Sequence, residues 1–319
     1  MRRLFAVVLM SAVLMGGATL AFAQSGPVML EFKGVTGSEL RYETSFNMNM
    51  EMTAAQPGGG VVLTVKPSIN GKAVTVTRVA GVADNGDLTF AGKVESFDVS
   101  LDVADLHARL AIVGPDGKAP MLFKLPELPI QMVLTRQGKP ISLEGMDKLA
   151  AMIPSPPGQK IDFGKLVTKS LTEFSQPVFP DYPVSVGDSW EWKLVIDPME
   201  MMESMGVPVP PEAKQELGKM QFPIKNTSTL VAFETVDGVE CAKIEAVAPW
   251  ELNMPIGPPG EAKATLAEKG FTKLTTWFDY AAGRKVRELT EVSFDMSISA
   301  GSETPMKMVM RGTGEKQLR

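Results

Sequence analysis

His107 is the single histidine of the 319-residue chain and Cys241 its single cysteine. A Ser-His-Asp or Cys-His arrangement must therefore use them or fail. His107 stands in Asp105-Leu106-His107-Ala108-Arg109, at a strand end with no nucleophile beside it, and is expected to be a surface or structural side chain. Cys241 falls in the strand-like run Val239 to Val247 and is expected to be a small buried residue rather than a nucleophile. One His and one Cys far apart do not assemble a soft-metal site, so no metal and no cofactor are expected. Gly58-Gly59-Gly60 lacks the Lys-Ser/Thr that a phosphate loop needs and sits between strands. Glycoside hydrolysis needs only two carboxylates, for which Asp98, Asp102, Glu191 and Glu251 are available. All four fall on the outward parity of their strands, which makes a carboxylate-based hydrolase the third choice.

Methionine carries the stronger signal. Of 21 Met, three lie in the first 23 residues, and the rest concentrate at Met48, Met50 and Met52, at Met199 to Met205 and at Met306 to Met310. Met is flexible and polarizable and suits apolar surfaces that must adapt to a ligand, although it also fills ordinary cores. Thioether binding of copper is disfavoured because no His accompanies these clusters. The candidate ligand-binding residues are Met48, Met50, Trp190, Trp192, Met199, Met202 and Met205.

The elements that must position them read as β-strands. From Leu40 to Met52 the even residues are mostly apolar and the odd ones polar, which predicts a strand with one buried face. After Gly187-Asp188-Ser189, the residues Trp190, Trp192, Leu194 and Ile196 share one parity in the same way. Ile69-Asn70-Gly71-Lys72 and Asp84-Asn85-Gly86-Asp87 read as hairpin turns, since Asn-Gly suits the mirror-image turns that match strand twist. Leu88 and Phe90 lie on even positions but Phe97, Val99 and Leu101 on odd ones, which places a bulge around Gly92. A hairpin is expected at Gln137-Gly138, and the last strand is expected to give way to a polar tail after Gly312.

The expected architecture is mainly β, with two similar antiparallel units, each a curved sheet or open half-barrel. The units span residues 24–154 and 183–319, and residues 155–182 form a linker whose helix is capped at Asp162. A short Met-rich helical pair, residues 197–220, interrupts the second unit at a stiff Pro208-Val209-Pro210-Pro211 joint and is a lid candidate. The charged start, apolar run and Ala21-Phe22-Ala23 of residues 1–23 have the form of a secretory signal, so a periplasmic or extracellular protein without a stable transmembrane anchor is expected. No Cys stands at the cleavage site to carry a lipid anchor. The formal net charge is −5, and removing residues 1–23, with two Arg and no acid, takes it to −7. A mildly acidic chain without basic clusters argues against nucleic acid as a partner.

Three pieces carry a family resemblance: the alternating strand Leu40 to Met52, F-P-x-x-P-V-S-V-G-D-S-W at Phe179 to Trp190, and F-D-x-x-x-G-R-K-V at Phe278 to Val286. With them the chain resembles an uncharacterised family of secreted bacterial proteins, many of them lipoproteins. Its architecture is also similar to the lipoprotein carriers and lipid-binding envelope proteins of the LolA/LppX type. That likeness implies open half-barrels around apolar cavities. The function expected is a non-enzymatic exported module that binds an apolar small molecule or lipid in a sheet concavity. The alternative is a structural or protein-interaction module without a cavity.

Overall fold

The computed structural model describes residues 26–55, 62–103, 106–113, 130–145, 177–196, 222–256, 264–300 and 306–319. Every regular element among them is a strand. In chain order these are β1 (Glu39–Ala55), β2 (Val62–Val65), β3 (Ser68–Val82), β4 (Leu88–Val103), β5 (Leu106–Val113), β6 (Ile130–Leu134) and β7 (Pro140–Glu144), then β8 (Ser189–Ile196), β9 (Phe222–Val236), β10 (Val239–Ile256), β11 (Ala264–Asp279), β12 (Arg284–Ala300) and β13 (Met306–Leu318). They form one antiparallel sheet in the order β7-β6-β4-β3-β1-β13-β12-β11-β10-β9-β8, with β2 beside β1 and β5 beside β4.

The expectation of two separate curved sheets is corrected by the middle of that order. β1 and β13 pair from Tyr42↔Leu318 to Thr53↔Lys307, so the two halves of the chain share one continuous sheet. Strand edges left at a boundary would expose unpaired N–H and C=O groups, and this ladder removes them. Three local expectations change as well. Asn70-Gly71 is not a turn but lies inside β3, whose ladder with β1 runs through Asn47↔Asn70 and Phe46↔Gly71. The bulge of β4 falls at Glu95, between the pairs Val74↔Ser96 and Thr75↔Val94, rather than at Gly92. β13 continues past Gly312 to Leu318 because β1 offers it a partner at every position. The hairpin between β6 and β7 is present, with Gly138 at φ 84°. The helices expected in residues 155–182 and 197–220 lie outside the described residues, apart from residues 177–182, which form no helix.

The sheet curls until its two edge regions are bridged at one end. The Phe179 N–H donates to the Gln137 carbonyl, in the β6–β7 turn, at 2.8 Å. The Trp190 indole, on β8 at the other edge, donates to the Val178 carbonyl at 2.7 Å. Residues 28–34 lie inside the curl: Val28 and Val184 exchange backbone hydrogen bonds, and the Phe32 N–H donates to the Arg136 carbonyl. The Phe32 ring stacks on Phe179 at 5.3 Å and meets Phe278 edge-on at 5.2 Å, distances at which aromatic pairs attract. One buried cluster therefore joins Val79, Leu88 and Leu134 from one wing to Trp190, Leu230, Ile244 and Phe278 from the other. The face bearing them is the inner face.

Candidate functional site

Register fixes which residues follow that core along the inner face, because directly paired residues of antiparallel strands point to the same side. On β1 these are Tyr42, Thr44, Phe46, Met48, Met50 and Met52, and on β13 Lys316, Gly314, Gly312, Met310, Met308 and Met306. On β12 they are Glu288, Thr290, Val292, Phe294, Met296 and Ile298. β8 adds Trp190 and Trp192, and β10 adds Ile244, Ala246, Ala248 and Trp250. Burial divides this face in two. At the bridged end the side chains are buried, whereas Phe46, Met48, Met50, Phe294, Met296, Met308 and Met310 stay half-buried and Met52 is 39% exposed.

Bare backbone flattens parts of this floor. A Cβ on Gly71 would collide with the Phe46 ring, and one on Gly270 would lie 2.7 Å from Trp250 Cζ2 and from Phe294 Cβ. Both glycines thus serve rings lying across them, as aromatic residues do over cross-strand glycines. The Trp250 indole donates to Glu268 Oε1 at 3.0 Å, which orients the ring on the inner face.

The candidate residues named from sequence fare unequally. Met48 and Met50 lie on the half-buried inner face. Trp190, 6% exposed, belongs to the core, whereas Trp192 is half-buried and packs with Trp250 against Ile224 and Ala248. The two residues also line a groove of about 470 Å³ with Phe179, Pro180 and Tyr182. Opposite them stand Ser228 and Asn226, whose Oγ and Oδ1 are buried without a hydrogen-bond partner among the described residues. Met199, Met202 and Met205 lie outside the described residues. The strands that flank their segment, β8 and β9, pair as far as Ile196↔Phe222, at the end of the sheet away from the core.

The groups weighed for catalysis lie apart from this face. His107 is on β5, opposite Asp102 of β4. Asp98 and Asp102 belong to the outer parity of β4, Glu191 pairs with Lys225 on β9, and Glu251 is exposed. Burial pushes the Cys241 thiol up to about 11, which leaves it protonated at neutral pH and poorly nucleophilic. Among the described residues no group of three His, Cys, Asp or Glu could hold a metal ion. A second groove, of about 740 Å³, opens on the outer face, where Ser45, Asn47, Lys72, Asp98, Leu289 and Glu315 line it with backbone of Gly71 and Gly314. On the same outer face Trp277 donates to Glu234 Oε2 at 2.7 Å, and with Lys243 it holds that carboxyl below the usual range.

One charged group on the inner face is formed by residues far apart in the sequence. Tyr42 Oη donates to the Lys285 carbonyl at 3.1 Å, Lys285 Nζ pairs with Glu288 Oε2 at 2.9 Å, and Lys316 Nζ sits 4.4 Å from the centroid of the Tyr42 ring. Burial raises the Tyr42 hydroxyl above the usual tyrosine range, with Glu288 adding to the effect and Arg284 opposing it. Burial, with Lys285 beside it and Glu288 opposing, lowers the Lys316 ammonium to about 8. The signal for this group was the even spacing of Gly312, Gly314, Lys316 and Leu318, legible only once β13 was known to reach Leu318.

No family model matches the chain, and no curated protein matches it. Among solved structures it is similar to Pseudomonas aeruginosa OpdQ, at 8% identity and a TM-score of 0.21, over 88% of this chain and 99% of that one. Pseudomonas aeruginosa OccK7 (OpdD) matches at 8% and 0.20, over 90% and 99%. A loop-deletion mutant of OmpT, an outer membrane protein of Vibrio cholerae, matches at 8% and 0.18, over 89% and 100%. At these scores the likeness carries no argument about this chain. Among the described residues no helix is long and apolar enough to cross a membrane, which says nothing of strands.

Proposed function

We propose that the protein is a non-enzymatic, exported module that binds an apolar ligand, a lipid or an acyl chain, in the concavity of its curled sheet. One observation carries this reading: the inner face stays apolar beyond the packed core, through Phe46, Met48, Met50, Phe294, Met296 and Met310, yet leaves these side chains half-buried. Exposed apolar surface of this continuity has a free-energy cost of about 25 cal/mol per Å², which a bound chain would remove. Methionine suits such a surface because it adjusts to chains of different shape. Export rests on the signal-like residues 1–23, and a carrier role in the cell envelope is the setting proposed for it.

Native mass spectrometry of the protein purified from its own host tests the reading. A co-purified apolar molecule is the expected result. A bare mass, together with no uptake of added acyl chains, would point to an interaction module instead.

A further inference from the structure

The inner face carries a cluster of charge at the floor beside the core, where β1, β13 and β12 adjoin. Lys285 pairs with Glu288 at 2.9 Å, both almost fully buried, while the next pair along, Asp279 with Arg284, has the outer parity. Lys316 is the cross-strand neighbour of Glu288 and of Thr44. Its ammonium leans over the Tyr42 ring and makes no hydrogen bond or ion pair among the described residues. Lys316 as a residue is half-buried, and burial together with the nearby Lys285 lowers its ammonium to about 8. Pairing within this group therefore leaves Lys316 over, and a half-buried cation without an ion-pair partner among the described residues favours an anion beside it.

Next to Lys316 along β13, toward the open end, come Gly314 and Gly312. Neither has a positive φ, and a Cβ on either would meet nothing closer than 3.4 Å. In this they differ from Gly71 and Gly270, where rings lie over the backbone. Backbone conformation does not require glycine here, and no ring covers it, so the two glycines leave a trough in the floor. Phe46 and Met48 border it on β1, Thr290 and Val292 on β12, and Met310 marks its far end. Six residues of strand, about 20 Å, separate Lys316 from Met310. An extended long acyl chain fits that length.

We propose that Lys316 is the headgroup site for a long-chain carboxylate, whose acyl chain lies in the Gly312–Gly314 trough and ends among the inner-face methionines. The inference rests on the apolar-ligand reading above and adds a class of ligand to it. Tyr42 from β1 and Lys285 and Glu288 from β12 are the titratable groups beside Lys316.

Binding of hexadecanoic acid and hexadecanol to the full chain, each followed at pH 6.5 and 9.5, tests the assignment. The acid is expected to bind the wild type roughly tenfold more tightly than the alcohol at the lower pH, as a charge-assisted contact implies, and to lose most of that advantage at the higher pH. Lys316→Met should bring the two ligands to within about twofold of each other, and Lys316→Arg should keep the preference at pH 9.5, because guanidinium stays protonated. Equal binding of acid and alcohol by the wild type, or a preference that survives Lys316→Met, would overturn the headgroup assignment while leaving the apolar-ligand reading in place. Binding of neither ligand would overturn both. Should Lys316→Met not fold, Lys316→Arg decides alone: a preference that fades with pH as in the wild type contradicts the assignment.

Discussion

The ring of Phe46 on β1 lies across the backbone of Gly71 on β3, so close that a Cβ on Gly71 would take the place of ring atoms. The pair explains why a turn-like Asn-Gly sits inside a strand: what is used here is the missing side chain, not freedom of φ. Gly71→Val should therefore cost about 1–3 kcal/mol through overpacking. In a double-mutant cycle by denaturant unfolding, Phe46→Ala should relieve most of that cost, with a coupling of about 1 kcal/mol or more. Additive effects would show that the ring and the glycine do not depend on each other.

Trp190 and Trp192 share the inner face but not their surroundings. Trp190 is buried with Leu230 and Phe278 and bonded to the Val178 carbonyl, whereas Trp192 is half-buried beside Trp250. Trp190→Ala should cost about 3–5 kcal/mol and lower Tm clearly. Trp192→Ala should cost less and weaken the uptake of apolar molecules. A reversal of the two effects in calorimetry and dye binding would show that the core has been placed at the wrong residue.

Stability should respond to pH through Lys316. Its ammonium is lowered from 10.5 to about 8 in the folded protein, so between these values the unfolded chain holds a proton that the folded chain has released, and stability rises with pH. Cys241, raised from 9.0 to about 11, acts the other way above pH 9, and Tyr42 does so above pH 10. The difference between wild type and Lys316→Met isolates the lysine. Below pH 8 the variant should be more stable, by on the order of 2–3 kcal/mol, and the gap should close toward pH 10. A gap that does not change with pH would mean that the ammonium is not desolvated.

The alternation of each long strand was legible in the sequence, because one buried face imposes a period of two. From it Met48, Met50, Trp190 and Trp192 were placed on one parity, and the structure puts all four on the inner face. The pairing of β1 with β13 was not legible, since no local signal sets a register between the two ends of a chain. The same gap hid the charged group. Lys316 read as part of a polar tail and Lys285 as part of a turn motif until the ladder set Lys316 beside Glu288, the ion-pair partner of Lys285. Asn70-Gly71 misled because glycine serves tight turns and close ring contacts alike.

An acyl chain lying against the inner face would be reported by the chain's four tryptophans. Trp250 is on the inner face next to Trp192, and Trp277 is on the outer face with Glu234 and Arg287. Two variants, one keeping only Trp250 and the other only Trp277, would be titrated with a long-chain alcohol brominated along its chain, and fluorescence quenching recorded. Saturable quenching of Trp250 and little of Trp277 are expected. Equal quenching of the two, or quenching of Trp277 alone, would contradict the inner-face placement.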